Sequence, residues 1–257
     1  MKQNSVAYFR KLFKGKKILV LDLETSPNEG YFWRPGKQVV THKQIQKERQ
    51  IICASYKWAG EKEVDTLHFG LKKQDDTTLL RQLTKIINSA NIIVGQNSDK
   101  FDLPWVQGRL FIKQLPPILT RPALVSLDTL KLSRNSLGLN AYRLDYLSKL
   151  MGLGGKIRME YDDWVDIMSK KCPVAFAKML KYCPKDVNDT ETILYKMLPY
   201  VRIPSSLSKV LSGHTVGCTK CGSLNYGTRG SGSTNAGVLY SRCLCNDCGS
   251  WFKGPKL

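Results

Sequence analysis

The run Lys17-Ile-Leu-Val-Leu-Asp22-Leu-Glu24-Thr25 is apolar until it meets two carboxylates two residues apart. A segment this rich in Ile, Val and Leu reads as a buried strand. Side chains alternate along a strand, so Asp22 and Glu24 project from one face. Two acids side by side at the rim of a core each lose water, and each disfavours ionisation of the other. A bound divalent cation would remove that penalty. Solvated acids at an ordinary strand end would need no such ion, and the run alone fits both readings.

Two later segments carry matching chemistry. In Asn97-Ser-Asp99-Lys-Phe101-Asp102 an acid follows a short buried strand, where a loop feeds into a helix and can face the end of a sheet. Asp102 is the better placed of its two acids, because Phe101 can anchor the turn. An acid complementing a helix dipole is the plain alternative. In Tyr182-Cys-Pro-Lys-Asp186 a helical backbone would set Tyr182 and Asp186 one turn apart on one face. Pro184 lies between them and would break or kink a continuous helix by clashing with the carbonyl of Leu180.

Cysteine supplies the second chemistry. Cys218-Thr-Lys-Cys221-Gly222 and Cys245-Asn-Asp-Cys248-Gly249 are two Cys-x-x-Cys-Gly knuckles, whose four thiolates suit a closed tetrahedral Zn2+. Glycine relieves the backbone after each second cysteine. Cys243 lies close enough to compete, but the paired spacing favours Cys245. A module this poor in apolar residues should depend on a structural metal to fold.

The elements that must position these groups are legible from periodicity. Residues 51–59 and 63–69 form a hairpin of two strands, 91–95 and 123–130 two more strands. Helical stripes run over 77–89, 100–113, 143–151, 173–183 and 185–199. Ser26 to Gly30 breaks regular structure, and Tyr31, Phe32 and Trp33 follow in a loop with Arg34, Lys37, His42 and Lys43. Gly152 to Arg158 is a basic loop, and Tyr226 to Thr234 a polar hairpin tip. The order predicts an α/β fold, a mixed five-stranded sheet flanked by helices, with a small cysteine module behind it. The boundaries are a basic arm at 1–16, a main domain at 17–200, a linker at 201–213 and the cysteine module at 214–257.

The whole chain of 257 residues carries 40 Lys and Arg against 21 Asp and Glu, a formal charge of +19. That excess points to a polyanionic partner, and nucleic acid suits it better than a membrane because no long basic amphipathic helix stands out. No apolar run reaches the roughly 20 residues needed to cross a bilayer, and the first residues lack an apolar signal core, so a cytoplasmic location is expected. Four of the eight cysteines lie in the two Cys-x-x-Cys pairs while Cys53, Cys172 and Cys183 are scattered, a pattern that suggests metal and not a disulfide framework.

Together, Asp22-x-Glu24, Asn97-x-x-x-Phe101-Asp102 and Tyr182-x-x-x-Asp186 resemble the three motifs of the DnaQ-like 3′-5′ exonucleases, in the subgroup with tyrosine in the third motif. The resemblance spans about residues 17 to 200. The segments LDLETSPN, VGQNSDKFDLP, SLDTLK, LDYLSKLMGLGGK and KYCPKDVNDT look like predicted exonucleases of bacteria and phages related to polymerase B proofreading domains. The C-terminal knuckles look like a zinc ribbon.

That resemblance implies a ribonuclease H-like fold. It also implies two Mg2+ or Mn2+ ions on Asp22, Glu24, Asp102 and Asp186, with Tyr182 orienting the attacking water. The expected reaction releases nucleoside 5′-monophosphates from single-stranded DNA 3′ ends, in a bacterial cell or a phage-infected host. An exoribonuclease of the same fold and a non-catalytic nucleic-acid-binding protein are the alternatives. Tyr31 and Trp33 are candidates for stacking on bases. Thr25, Asn97 and Phe101, beside the acids in their motifs, are further candidates for substrate contact. The ribbon's Tyr240, Arg242, Trp251 and Lys253 could stack on bases and meet phosphates, with protein docking the other reading.

Overall fold

The computed structural model of the chain describes residues 6, 7, 9, 13–34, 36–37, 39–119, 124–154, 157–201, 207, 217–220 and 223–257. Its strands begin with β1 (Ile18–Thr25), β2 (Glu29–Gly30), β3 (Ile45–Lys47), β4 (Ile51–Trp58) and β5 (Asp65–His68). Helix α1 (Thr77–Asn88), β6 (Ile92–Gly95), α2 (Asp102–Ile112), β7 (Val125–Asp128) and α3 (Thr129–Ser136) alternate after them. Three helices close this part of the chain, α4 (Leu144–Leu150), α5 (Tyr161–Val165) and α6 (Pro173–Met197). The last strands are β8 (Tyr226–Ser233), β9 (Leu239–Cys245) and β10 (Trp251–Lys256).

The five-stranded sheet has the order β5-β4-β1-β6-β7. The predicted hairpin places β5 antiparallel to β4, and β4 is antiparallel to β1. β6 and β7 return after the crossover helices α1 and α2, so they lie parallel to β1 and to each other. This is the expected ribonuclease H-like arrangement, with β1 at its centre.

Alternation along β1 serves two cores. Leu19, Leu21 and Leu23 pack against Leu79, Leu80, Leu83 and Ile87 of α1 and Val106 and Leu110 of α2. Ile18 and Val20 face the other way, among Val187, Ile193, Leu194 and Met197 of α6. Each buried Leu or Ile contributes about 1.5–3 kcal/mol, which fixes the register of β1 and with it the face on which Asp22 and Glu24 emerge.

The structure corrects several expectations. Helix α6 runs unbroken from Pro173 to Met197 with Pro184 inside it, where two helices were expected. Packing on both sides of the proline explains this. Met179 and Cys183 pack with Ile52 and Cys53 of β4, while Val187 and Leu194 pack beneath β1. The pair Lys57–Glu191, 2.7 Å apart and nearly inaccessible to water, ties the same helix to β4. Tertiary burial on this scale outweighs the roughly 3 kcal/mol that a proline costs a helix interior.

The strand expected over 123–130 stops at Asp128, whose side chain accepts from the backbone N–H groups of Leu130 and Lys131 and so begins α3. Residues Tyr226–Ser233, expected as a hairpin tip, form a full strand paired with β9, and the turn lies at 234–238. Glu29–Gly30, expected to break regular structure, pairs with β3. At the N-terminus, Phe9 and Phe13 are buried in the α6 core, Phe9 at 4.6 Å from the Tyr195 ring. The expected linker falls largely outside the described residues.

Candidate functional site

β1 emerges from the core with Asp22 and Glu24 on the face covered by α6. Asp22 accepts from the Cys183 thiol, 3.4 Å from Oδ2, and Cys183 is itself buried on α6. Asp22 and Glu24 each keep a small exposed edge, yet protein encloses their other sides. Enclosure dominates the electrostatics. Burial raises the Asp22 carboxyl well above the usual carboxylate range, and Cys183, Asp102, Glu24 and Asp186 add to the effect. Glu24 is pushed up to about 8, first by burial and then by Asp186 and Asp102.

The second motif arrives from β6. Gly95 ends that strand, and a β-carbon there would lie 2.6 Å from the Ser98 β-carbon and 3.1 Å from the Leu21 carbonyl oxygen. Only glycine permits so close a turn. Asn97 then takes the left-handed region at φ +67°. The loop is held by a residue that the sequence reading did not single out. Asp128 accepts from the backbone N–H of Asn97 at 3.0 Å and of Asp99 at 3.2 Å, while it also starts α3.

The turn delivers Asp102 at the first position of α2, buried to 2 % exposure, with Oδ1 lacking any hydrogen-bond partner among the described residues. Burial raises its carboxyl to about 7. Backbone N–H groups of Asp102 and Leu23 pull it down, and Asp128 pushes it up. A buried carboxylate oxygen without a donor is rare in folded proteins and fits a position where a cation would sit.

The third motif completes the rim. With α6 continuous, Tyr182 and Asp186 stand one turn apart and share a hydrogen bond. The Tyr182 hydroxyl is raised by burial first, then by Asp186, Glu24 and Asp22, so it stays protonated and donates. Asp22, Glu24, Asp102, Tyr182 and Asp186 are thus brought to one place. The acids do not form a tight single-ion cluster. Among the described residues, the three potential ligands whose donor atoms all lie within 4.8 Å of one another are Cys218, Cys245 and Cys248.

Beside Tyr182 and Asp186 opens a cleft of about 700 Å³. Arg143, Lys149, Arg158 and Lys185 line it. A space of this size accommodates a nucleotide; Asp145, Asp186 and Asp189 also line it, Lys185 pairs with Asp189 at 2.5 Å and Arg143 with Asp145 at 3.5 Å, and Lys149 and Arg158 suit a phosphate. Its only forecast in the sequence is the basic character of the 152–158 loop; Arg143 comes from the residue before α4, Lys149 from α4 and Lys185 from α6.

The substrate-contact candidates divide. Phe101 precedes Asp102 directly and its ring lies 6.4 Å from that of Trp105, which in turn carries the Arg49 guanidinium at 4.9 Å. Trp105 is an aromatic that the sequence reading passed over. Thr25 follows Glu24 at a bulge opposite Ile51. Tyr31 and Trp33 stand in solvent after β2, Trp33 fully exposed. The structure shows no contact joining them to the acids.

In the C-terminal module, the Sγ atoms of Cys218 and Cys248 are 3.5 Å apart and Cys245 completes a cluster that could hold a metal such as zinc. The described parts of the knuckles have the expected turns. The Lys220 N–H points to the Cys218 sulfur at 3.4 Å, and Gly249 takes φ +68° after the second pair. Cys221 lies outside the described residues. Cys243 is buried in the same small core, against Gly254, but outside the three-thiol cluster.

The fold and its acid rim define an α/β protein with a ribonuclease H-like sheet, followed by a three-stranded sheet that carries a cysteine cluster. No family model matches the chain, and no curated protein matches it. Among solved structures, it is similar to the family B DNA polymerase from the hyperthermophilic archaeon Pyrobaculum calidifontis, at 15 % identity and a TM-score of 0.55. The match covers 88 % of this chain and 32 % of the polymerase, so the chain spans about a third of that protein. At this identity the likeness is one of fold. Among the described residues no helix is long and apolar enough to cross a membrane.

Proposed function

We propose that the protein is a metal-dependent 3′-5′ exonuclease that releases nucleoside 5′-monophosphates from single-stranded DNA 3′ ends. The observation that carries this reading is the meeting of four carboxylates from β1, α2 and α6 at one rim, where burial opposes the charge of Asp22, Glu24 and Asp102, and Asp102 Oδ1 has no donor.

Asp22, Glu24, Asp102 and Asp186 would hold two Mg2+ or Mn2+ ions, which when bound lower the pKa of a water and neutralise charge on the phosphate oxygens. The protein's own groups supply the rest. Tyr182 keeps its proton and presents a donor beside Asp186, a place from which it orients a water. Lys149 and Arg158 draw the phosphate backbone into the cleft and fix its direction. Phe101 and Trp105 offer ring faces to the terminal bases.

The test is an assay with end-labelled single-stranded DNA, duplex DNA and RNA, each with Mg2+ or Mn2+, comparing the wild type with Asp22→Ala. Mononucleotide release by the wild type and its loss in the variant is the expected result. Failure of the wild type with both metals on all three substrates refutes the reading, and faster release from RNA replaces DNA as the substrate.

A further inference from the structure

The sheet of the cysteine module has two unlike faces. Ser241, Cys243 and Cys245 of β9 and Phe252 of β10 point inward and are buried. Their neighbours Tyr240, Arg242, Trp251 and Lys253 point outward by strand alternation. Cross-strand pairing sets Arg242 opposite Lys253 and Leu244 opposite Trp251. The Arg242 guanidinium lies over the Trp251 ring, 5.2 Å from its centroid, and Lys253 Nζ lies 4.7 Å from the centroid of Tyr240. Two rings and two cations therefore alternate across one small platform.

The third strand is shaped to this platform. A β-carbon at Gly232 would stand 2.9 Å from the Tyr240 hydroxyl oxygen and 3.0 Å from its Cζ. Glycine at this position lets the ring lie down against β8. Trp251 stays 54 % exposed although it is among the largest apolar side chains in the module. Neither Arg242 nor Lys253 is ion-paired with a carboxylate among the described residues.

Charge names the kind of partner. From residue 217 onward the sequence holds Lys220, Arg229, Arg242, Lys253 and Lys256 against a single acid, Asp247. That acid is engaged elsewhere, accepting from the Ser223 hydroxyl and from Asn225 Nδ2. A polyanion thus meets attraction without an opposing carboxylate on the platform. Flat rings interleaved with cations suit bases on a flexible backbone, because each ring takes a base face while its cation moves to the adjoining phosphate. Duplex DNA keeps its base faces stacked and could use only the charges.

We infer that the outward face of β9 and β10, carrying Tyr240, Arg242, Trp251 and Lys253, is a second binding surface for single-stranded nucleic acid. It needs no catalysis and is separate from the acid rim, so the two readings are tested apart.

The experiment uses the full chain with its zinc content measured and no added Mg2+ or Mn2+. Binding to a fluorescent oligothymidylate is followed by anisotropy, with a duplex of equal length and polyglutamate as comparison polyanions. Trp251→Ala and Tyr240→Ala are each expected to weaken single-strand binding roughly 5- to 100-fold and to leave the duplex nearly unaffected. Arg242→Gln with Lys253→Gln keeps both rings and should flatten the salt dependence by about 0.7 in log–log slope per removed phosphate contact. Unchanged single-strand binding in the aromatic variants and in the double Gln variant overturns the proposal. Equal loss for duplex or polyglutamate also overturns it, pointing to unspecific charge or to an acidic protein partner. A chain without nuclease activity that still loses single-strand binding through Trp251→Ala supports this surface while refuting the catalytic reading.

Discussion

Replacing Glu24 with Gln should stabilise the protein in the absence of Mg2+ and Mn2+. The fold resists ionisation of this residue, whose carboxyl lies near 8 when folded against an ordinary 4.5. The sign follows from which state holds the proton. Below the unfolded value both states are protonated and Glu24 is harmless. As pH rises, the unfolded chain ionises first, so stability falls until the folded carboxyl also ionises near 8. At about 1.4 kcal/mol per pH step the full effect is on the order of 5 kcal/mol, and water at the open edge reduces it to on the order of 2. For a domain of this size that is about 4–8 °C in Tm.

Thermal unfolding of wild type and Glu24→Gln, in buffers from pH 4.5 to 9 without added divalent ions, measures it directly. The variant should match the wild type at the acid end and exceed it above pH 8. Saturating Mg2+ should then reverse the order, because the intact rim gains binding energy that the variant has lost. A gap that does not change with pH, or a larger Mg2+ effect in the variant, would refute the reasoning.

Three other substitutions test other parts of the molecule. Trp33→Ala should raise KM for single-stranded substrate about 5- to 100-fold with an unchanged Tm, since the ring is fully exposed; unaltered KM and processivity remove it from the substrate path. Asp128→Asn places an amide against the N–H groups of Asn97 and Asp99 and should cost about 1–3 kcal/mol in urea unfolding while lowering kcat through Asp102; wild-type values of both would show that the loop holds without it. Cys218→Ser should lower bound zinc and unfold the C-terminal strands, and full stoichiometric zinc would exclude Cys218 as a ligand.

What could be read in the sequence depended on the range of the interaction concerned. The pairing of Asp22 with Glu24 on one face follows from strand alternation alone, and the knuckles follow from spacing of three residues. The β4–β5 hairpin and α1 were equally local. Asp128 escaped because its role joins a loop thirty residues upstream to the helix that follows it, and no periodicity records that. The cleft escaped for the same reason, since Arg143, Lys149, Arg158 and Lys185 gather from three segments. Pro184 misled because helix propensity is a local rule and the burial of α6 on both sides of it is not.

That proline shapes how the site is held. It offers no N–H to the Leu180 carbonyl, so the hydrogen-bond ladder of α6 is thinned within one turn of Tyr182 and Asp186. Each half of the helix is clamped, one end by Ile52 and Cys53 and the other by Ile18 and Val20. The missing bond falls where Cys183 and Val187, on either side of the proline, are both fully buried, so packing carries the turn that the ladder does not. Tyr182 and Asp186 are thus held in place by side-chain burial more than by the backbone ladder of their own turn.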